Sequence, residues 1–157
     1  MDDHPFRTAW HTRDLDAWIE ALSPEIVLRS PVVRTPFRGR PAAKELYGVL
    51  FDTFGEVEFV GEFADADSHA FFWRANVAGR VIEGADLLHH DEQGKIAEIN
   101  VLIRPLVDIA VFAAAIGPPL AARRSPVRGA LARLLMLPLK GILTVADVVA
   151  SRLIKLD

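Results

Sequence analysis

Apolar positions recur at helical spacing along the first third of the chain, and from Glu56 onward they alternate. Phe6, Trp10, Leu15, Trp18, Ile19 and Leu22 mark two short helices, the second capped by Asp14 and closed by Ser23-Pro24. "EIVLRSP" reads as a brief strand. "RPAAKELYGVLFDTFG" opens with Pro41 at a helix start, sets Leu46, Tyr47, Leu50, Phe51 and Phe54 on one face, and stops at Gly55. Val57, Phe59 and Phe63 then alternate with Glu56, Glu58 and Glu62, and "SHAFFWRANV", "RVIEGADLLHH" and "KIAEINVLIR" follow between short polar turns. Helices first and an antiparallel meander afterwards is an α+β plan: a curved sheet wraps around the N-terminal helices and leaves a pocket between them.

Turn chemistry predicts the registers. Gly79-Arg80 as a two-residue II′ turn pairs Trp73 with Asp86 and Phe71 with Leu88. "DEQGK", with Gly94 in the left-handed position, pairs Asp91 with Lys95 and hence Asp86 with Asn100 and Gly84 with Leu102. One face then carries Phe71, Trp73, Val77, Ile82, Asp86, Leu88, Asn100, Leu102 and Arg104, and its aromatic, apolar lining around a few polar groups assigns it to the pocket. The other carries Phe72, Arg74, Asn76, Glu83, Ala85, Leu87, His89, Ala97, Ile99, Val101 and Ile103, and its apolar strip predicts a homodimer through the outer sheet face. A one-residue slip in the last hairpin would take Asn100 out of the pocket.

The chain has 157 residues, about half of them hydrophobic, which suits one well-filled domain with a tail: residues 1–106 as the α+β body and 107–157 as a C-terminal helical extension. Cysteine is absent, which excludes disulfides and thiolate sites, and the acidic start "MDDHPFRTAW" does not look like a secretory signal; a cytoplasmic location is expected. The body has 11 Lys and Arg against 18 Asp and Glu, the tail 7 against 3. An acidic body argues against nucleic acid as a partner.

"RDLDAWIEALSPEIVLRSP…PFRG" followed by "EGADLLHHDEQGKIAEINVLIRPL" resembles the SnoaL-like branch of the nuclear transport factor 2-like superfamily, over roughly residues 4–106. The resemblance implies a cystatin-like α+β cone around an apolar cavity, without a cofactor. Its members include polyketide cyclases, ketosteroid isomerase and limonene epoxide hydrolase, so the fold does not choose a reaction. Where the isomerase has its proton-abstracting Asp before Pro, this chain has Ser30, which cannot serve as a free base near neutral pH. Where the epoxide hydrolases use two carboxylates and an Arg, it offers Asp86, Asn100 and Gly84. The expected ligand is a small apolar or polycyclic molecule of polyketide, steroid or terpenoid type. If the protein is an enzyme, Asp86 is its acid or base and Asn100 orients Asp86, while Tyr47, Phe71, Trp73, Leu88 and Leu102 shape the cavity and Arg104 stands at the rim. The alternative is a non-catalytic binding or assembly module.

His89 and His90 resemble a metal pair, but strand neighbours point to opposite faces, so one ion cannot take both and no metal is expected. In the tail, Gly117-Pro118-Pro119 is expected to break one helix, and Ser125-Pro126 to cap another that runs toward Leu156 with a bend or break at Pro138. Arg133, Lys140, Thr144, Asp147, Ser151 and Lys155 form its one thin polar stripe. Packing on the body or on a partner subunit is the favoured reading. A membrane-surface helix is the less favoured one, and a span is disfavoured by Arg133, Lys140 and Asp147.

Overall fold

The structure is a computed structural model that describes residues 4–154. It divides into two compact units, residues 1–103 and 104–157. In the first, α1 (Pro5–Thr12), α2 (Leu15–Ala21), β1 (Leu22–Arg29), β2 (Phe37–Arg38) and α3 (Gly39–Thr53) precede the long strands β3 (Phe54–Ala64), β4 (Ser68–Val77), β5 (Arg80–His90) and β6 (Ile96–Arg104). The strands form one curved, open six-stranded sheet in the order β2-β1-β6-β5-β4-β3, with β1 parallel to β6. This is the expected α+β fold.

Each N-terminal element begins and ends for a local reason. The His4 ring caps α1 by accepting from Phe6 N–H, and Pro5 takes a first-turn position where its missing donor costs nothing. Arg13 ends α1 in the left-handed region at φ 55° and gives its guanidinium to the carbonyls of Phe51 and Gly55, tying α1 to the α3–β3 junction. Asp14 caps α2 through Ala17 N–H, as its position predicted. At the other end of α2 the carbonyls of Glu20 and Leu22 receive Arg40, and Lys95 also donates to Glu20 O. Cations belong at a helix C-terminus.

Phe6, Trp10, Trp18, Tyr47, Phe51, Phe54, Phe71 and Trp73 are all buried and meet one another at ring-centroid distances of 5.1–6.4 Å. Burying a large apolar side chain contributes about 1.5–3 kcal/mol, so this cluster dominates the first unit's stability.

Several expected details differ. The β4–β5 turn is Ala78-Gly79, both residues at positive φ, which is a type I′ turn; Trp73 therefore lies opposite Gly84 and Phe71 opposite Asp86. The register moves by two residues, so every side chain keeps its face. On β3 the pairing shifts between Phe59 and Gly61, which turns Phe63 outward beside Phe72. On β6 the Asp91–Lys95 turn forms, but the buried residues are Ile96, Ile99 and Ile103. Their spacing of three and then four residues is not a strict alternation. Ile99 and Ile103, expected on the outer face, are buried, whereas Leu102, expected in the pocket, is 64% exposed.

In the second unit, α4 (Leu106–Ala122) runs through Gly117-Pro118-Pro119 instead of breaking there, and α5 (Pro126–Leu153) is continuous through Pro138. Each proline removes one helical donor near a turn that still closes around it. Ser125 caps α5 through Arg128 N–H. The two helices pack closely where Gly129 passes Ala122: an added Cβ would lie 2.7 Å from the Ala122 Cβ. Gly129 is the buried residue of α5, whose aliphatic side chains are otherwise mostly exposed. Lys155 and Leu156 of the expected tail stripe and helix end lie outside the described residues.

Candidate functional site

Alternation along β4 and β5 sends Phe71, Trp73, Ala75, Ile82, Asp86 and Leu88 inward. Because the residue opposite Trp73 is Gly84, the indole has room to lie across β5. A Cβ on Gly84 would meet the Trp73 ring at 2.3 and 2.6 Å and the Leu102 carbonyl oxygen at 2.8 Å. The ring reaches two residues along β5, and its Nε1–H donates to Asp86 Oδ2 at 2.6 Å. The Trp73–Asp86 pair is thus diagonal, a separation that an aromatic side chain can span.

Asp86 is 4% exposed among apolar side chains. Burial pushes its carboxyl up to about 7, and the Trp73 hydrogen bond opposes part of that rise. Tyr47, also buried, is held as a neutral phenol: burial raises its pKa well above the usual value, and the Asp86 charge adds to the effect. Tyr47 reaches this region from α3, with its ring 5.1 Å from Trp18 and 5.8 Å from Phe51. A carboxyl that titrates near neutrality beside a neutral hydroxyl, within an aromatic shell, is a proton donor and acceptor set in apolar surroundings.

The structure brings Asp86, Trp73, Phe71, Leu88 and Tyr47 into one buried region and leaves three expected members out. Asn100 donates to Glu98 Oε1 at 2.9 Å, and Glu98 in turn pairs with Arg29 at 2.9 Å, so Asn100 supports a half-exposed ion pair instead of orienting Asp86. Arg29 lies opposite Asn100 in the β1–β6 pairing, which keeps this polar group together. Leu102 and Arg104 are exposed. His89 and His90 diverge as neighbours on a strand must: His89 meets Ser68 Oγ on the exposed side, whereas His90 meets His4.

One feature was missed from sequence. A cleft of about 410 Å³ lies over α1 and α2, lined by Thr8, Thr12, Asp14, Trp18, Glu20 and Lys95 among others. The Trp18 Nε1–H is buried without a hydrogen-bond partner among the described residues. Helical periodicity places Trp18 in the core correctly but does not say where its one polar atom points.

Residues 5–99 match the SnoaL-like domain family, and the chain belongs to that family. No curated protein matches the chain. Among solved structures it is similar to a steroid delta-isomerase from Pseudomonas aeruginosa, with 24% identity and a TM-score of 0.71 over 76% of this chain and 89% of that one. It is also similar to a conserved bacterial protein with a cystatin-like fold from Silicibacter pomeroyi DSS-3, with 18% identity and a TM-score of 0.68 over 82% and 89% of the two chains. A third is the epoxide hydrolase/cyclase-like enzyme SalBIII of pyran ring formation in the polyether salinomycin, with 22% identity and a TM-score of 0.55 over 64% and 84%. At these identities the likeness shows the fold, and the site must be argued from its own residues.

Proposed function

We propose that this SnoaL-like protein binds a small apolar or polycyclic molecule against the inner face of β4 and β5 and moves a proton on it with Asp86. The observation that carries the reading is the buried Asp86 carboxyl, titrating at about 7 under the Trp73 indole. Such a group is present in both protonation states near neutral pH, so it can take a proton from a carbon beside a carbonyl and return it elsewhere. Tyr47, held neutral, has a hydroxyl proton to donate toward the oxygen on which charge develops. Phe71, Trp73 and Leu88 supply the apolar surface that favours a steroid-, polyketide- or terpenoid-like skeleton. The steroid delta-isomerase and cyclase-like structural neighbours support this class of chemistry without naming a substrate. The rival reading, a binding module without turnover, draws on Asn100: its place beside Glu98 leaves Asp86 without the second polar group that the resemblance implied.

Deuterium exchange beside the carbonyl of a polycyclic enone, followed by proton NMR, tests the proposal. Wild-type protein is expected to catalyse exchange with a pH midpoint near 7, and Asp86→Asn to slow it by about 100-fold or more while still binding an apolar fluorescent probe. Equal exchange by both proteins, or an Asp86 carboxyl titrating in the ordinary range near 4, leaves only the binding module standing.

A further inference from the structure

The inward parity of β4 and β5 continues beyond Phe71 and Leu88. Two residues further along each strand it reaches His69 and His90, and the segment before α1 lays His4 beside them. The His4 ring lies 4.4 Å from the His69 ring and 5.4 Å, edge-on, from the His90 ring. His4 Nε2 is 3.3 Å from His90 Nε2. One ring nitrogen from each of the three residues lies within 4.8 Å of the other two. Phe71 closes the inner side, 4.9 Å from His4 and stacked at 5.9 Å on His69.

The hydrogen-bond partners define where the protons sit. Phe6 N–H donates to His4 Nδ1, so neutral His4 carries its proton on Nε2 and directs it at His90 Nε2. His90 then keeps its own proton on Nδ1, 3.3 Å from the Asp67 carbonyl. His69 Nδ1 is buried and has no hydrogen-bond partner among the described residues. A buried polar atom left in that state carries an uncompensated desolvation penalty, which a ligand could relieve. Arg7 is the neighbouring cation, and its guanidinium is paired with Glu62.

Three imidazoles with no thiolate or carboxylate among them suit borderline transition-metal ions and are poor donors for magnesium or calcium. Around tetrahedral zinc, with bonds of about 2.0–2.1 Å, ligand nitrogens stand about 3.3–3.4 Å apart. His4 and His90 already have that spacing. We propose that His4, His69 and His90 form a tris-imidazole site for a divalent transition-metal ion, zinc before others, with the fourth position held by water or by an oxygen of a ligand. The site stands apart from Asp86, which precedes His90 by four residues on β5, about 13 Å along the strand. Coordination through His4 Nε2 shifts the His4 proton to Nδ1, where Phe6 N–H can no longer donate. Ion binding therefore uncaps α1, which a hydrogen bond between two histidines does not.

The test uses the full-length, tag-free chain, freed of metal by a chelator and titrated with Co²⁺ and then Zn²⁺. Saturable uptake of a single equivalent of Co²⁺, displaced by Zn²⁺, is expected. In nitrogen-15 NMR of the wild-type protein, the ring nitrogens of His4, His69 and His90 and the amide of Phe6 should shift, while those of His11 and His89 stay. His90→Ala and His69→Ala should each weaken Zn²⁺ binding by about 10-fold or more, and His89→Ala should leave it unchanged. Absence of saturable uptake, shifts confined to His89 or His11, or undiminished binding by His90→Ala overturns the proposal. The NMR experiment needs only wild-type protein, so it decides the matter even where a variant fails to fold.

Discussion

Trp73 and Asp86 show how far single residues could be read. Period-two alternation put both on the inner face, and a register error of two residues left that assignment intact. Their contact depends on Gly84, whose missing side chain admits the indole; that role is invisible until the turn is known to be Ala78-Gly79. Asn100 was not legible, because burial on β6 falls on Ile96, Ile99 and Ile103, a spacing that strict alternation does not predict. The acidity of Asp86 has a measurable consequence for stability. Folding raises its carboxyl from 3.8 to about 7, so the native state favours the protonated form. The resulting stabilisation is complete below about pH 4 and is lost as pH rises through 7. Asp86→Asn keeps an acceptor for Trp73 Nε1 and has nothing to ionise. It is expected to gain about 1–3 kcal/mol over wild type between pH 5 and pH 8. Urea unfolding at both pH values checks this, and parallel pH profiles for the two proteins would count against a buried, titrating Asp86.

Among elements, α1, α2, α3 and the four long strands were all recoverable from periodicity and capping residues, because their apolar stripes are long compared with the errors at their ends. What escaped were turn types, bulges and helix persistence. The β4–β5 turn needs positive φ at both central positions, and Ala78 takes the first of them at φ 52°. A residue with a Cβ pays roughly 1–2 kcal/mol there, so Ala78 carries no turn signal and residue types point to Gly79-Arg80, one residue late. Ala78→Gly removes that strain and makes the unfolded chain more flexible, effects of opposite sign. The expected balance is a gain of about 0.5–1 kcal/mol, visible as a higher thermal midpoint, and a lower midpoint would contradict the I′ geometry. The prolines of α4 and α5 misled in the other direction, since both helices carry them internally.

At the scale of the whole chain, two apolar surfaces remain open. Phe63, Phe72, Leu87 and Leu102 are exposed in the first unit, and α5 exposes Leu131, Leu134, Leu135, Ile142, Val145 and Val149 among others. Among the described residues α5 is also the helix long and apolar enough to cross a membrane by length and composition. We propose that the outer sheet face joins two copies of the chain. Phe72→Glu should then convert a dimer to a monomer in sedimentation, while deletion of residues 125–157 leaves the dimer in place. A dimer lost only on that deletion assigns assembly to α5, and binding of anionic vesicles by the full-length chain alone assigns α5 to a membrane surface.

The parallel pairing of β1 with β6 also sets a timetable. During synthesis β3, β4 and β5 can zip together as each hairpin emerges, but β1 has to wait for the 75 residues that separate Arg29 from Arg104. At translation speeds of 5–20 residues per second that delay is about 4–15 s. Throughout it, Ile26 and Leu28 stand on a strand whose β6-facing edge is unpaired, because β2 lies along the opposite edge. A ribosome stalled before Ile96 therefore presents an open strand to any neighbouring nascent chain, and the last hairpin acts as the latch that withdraws it.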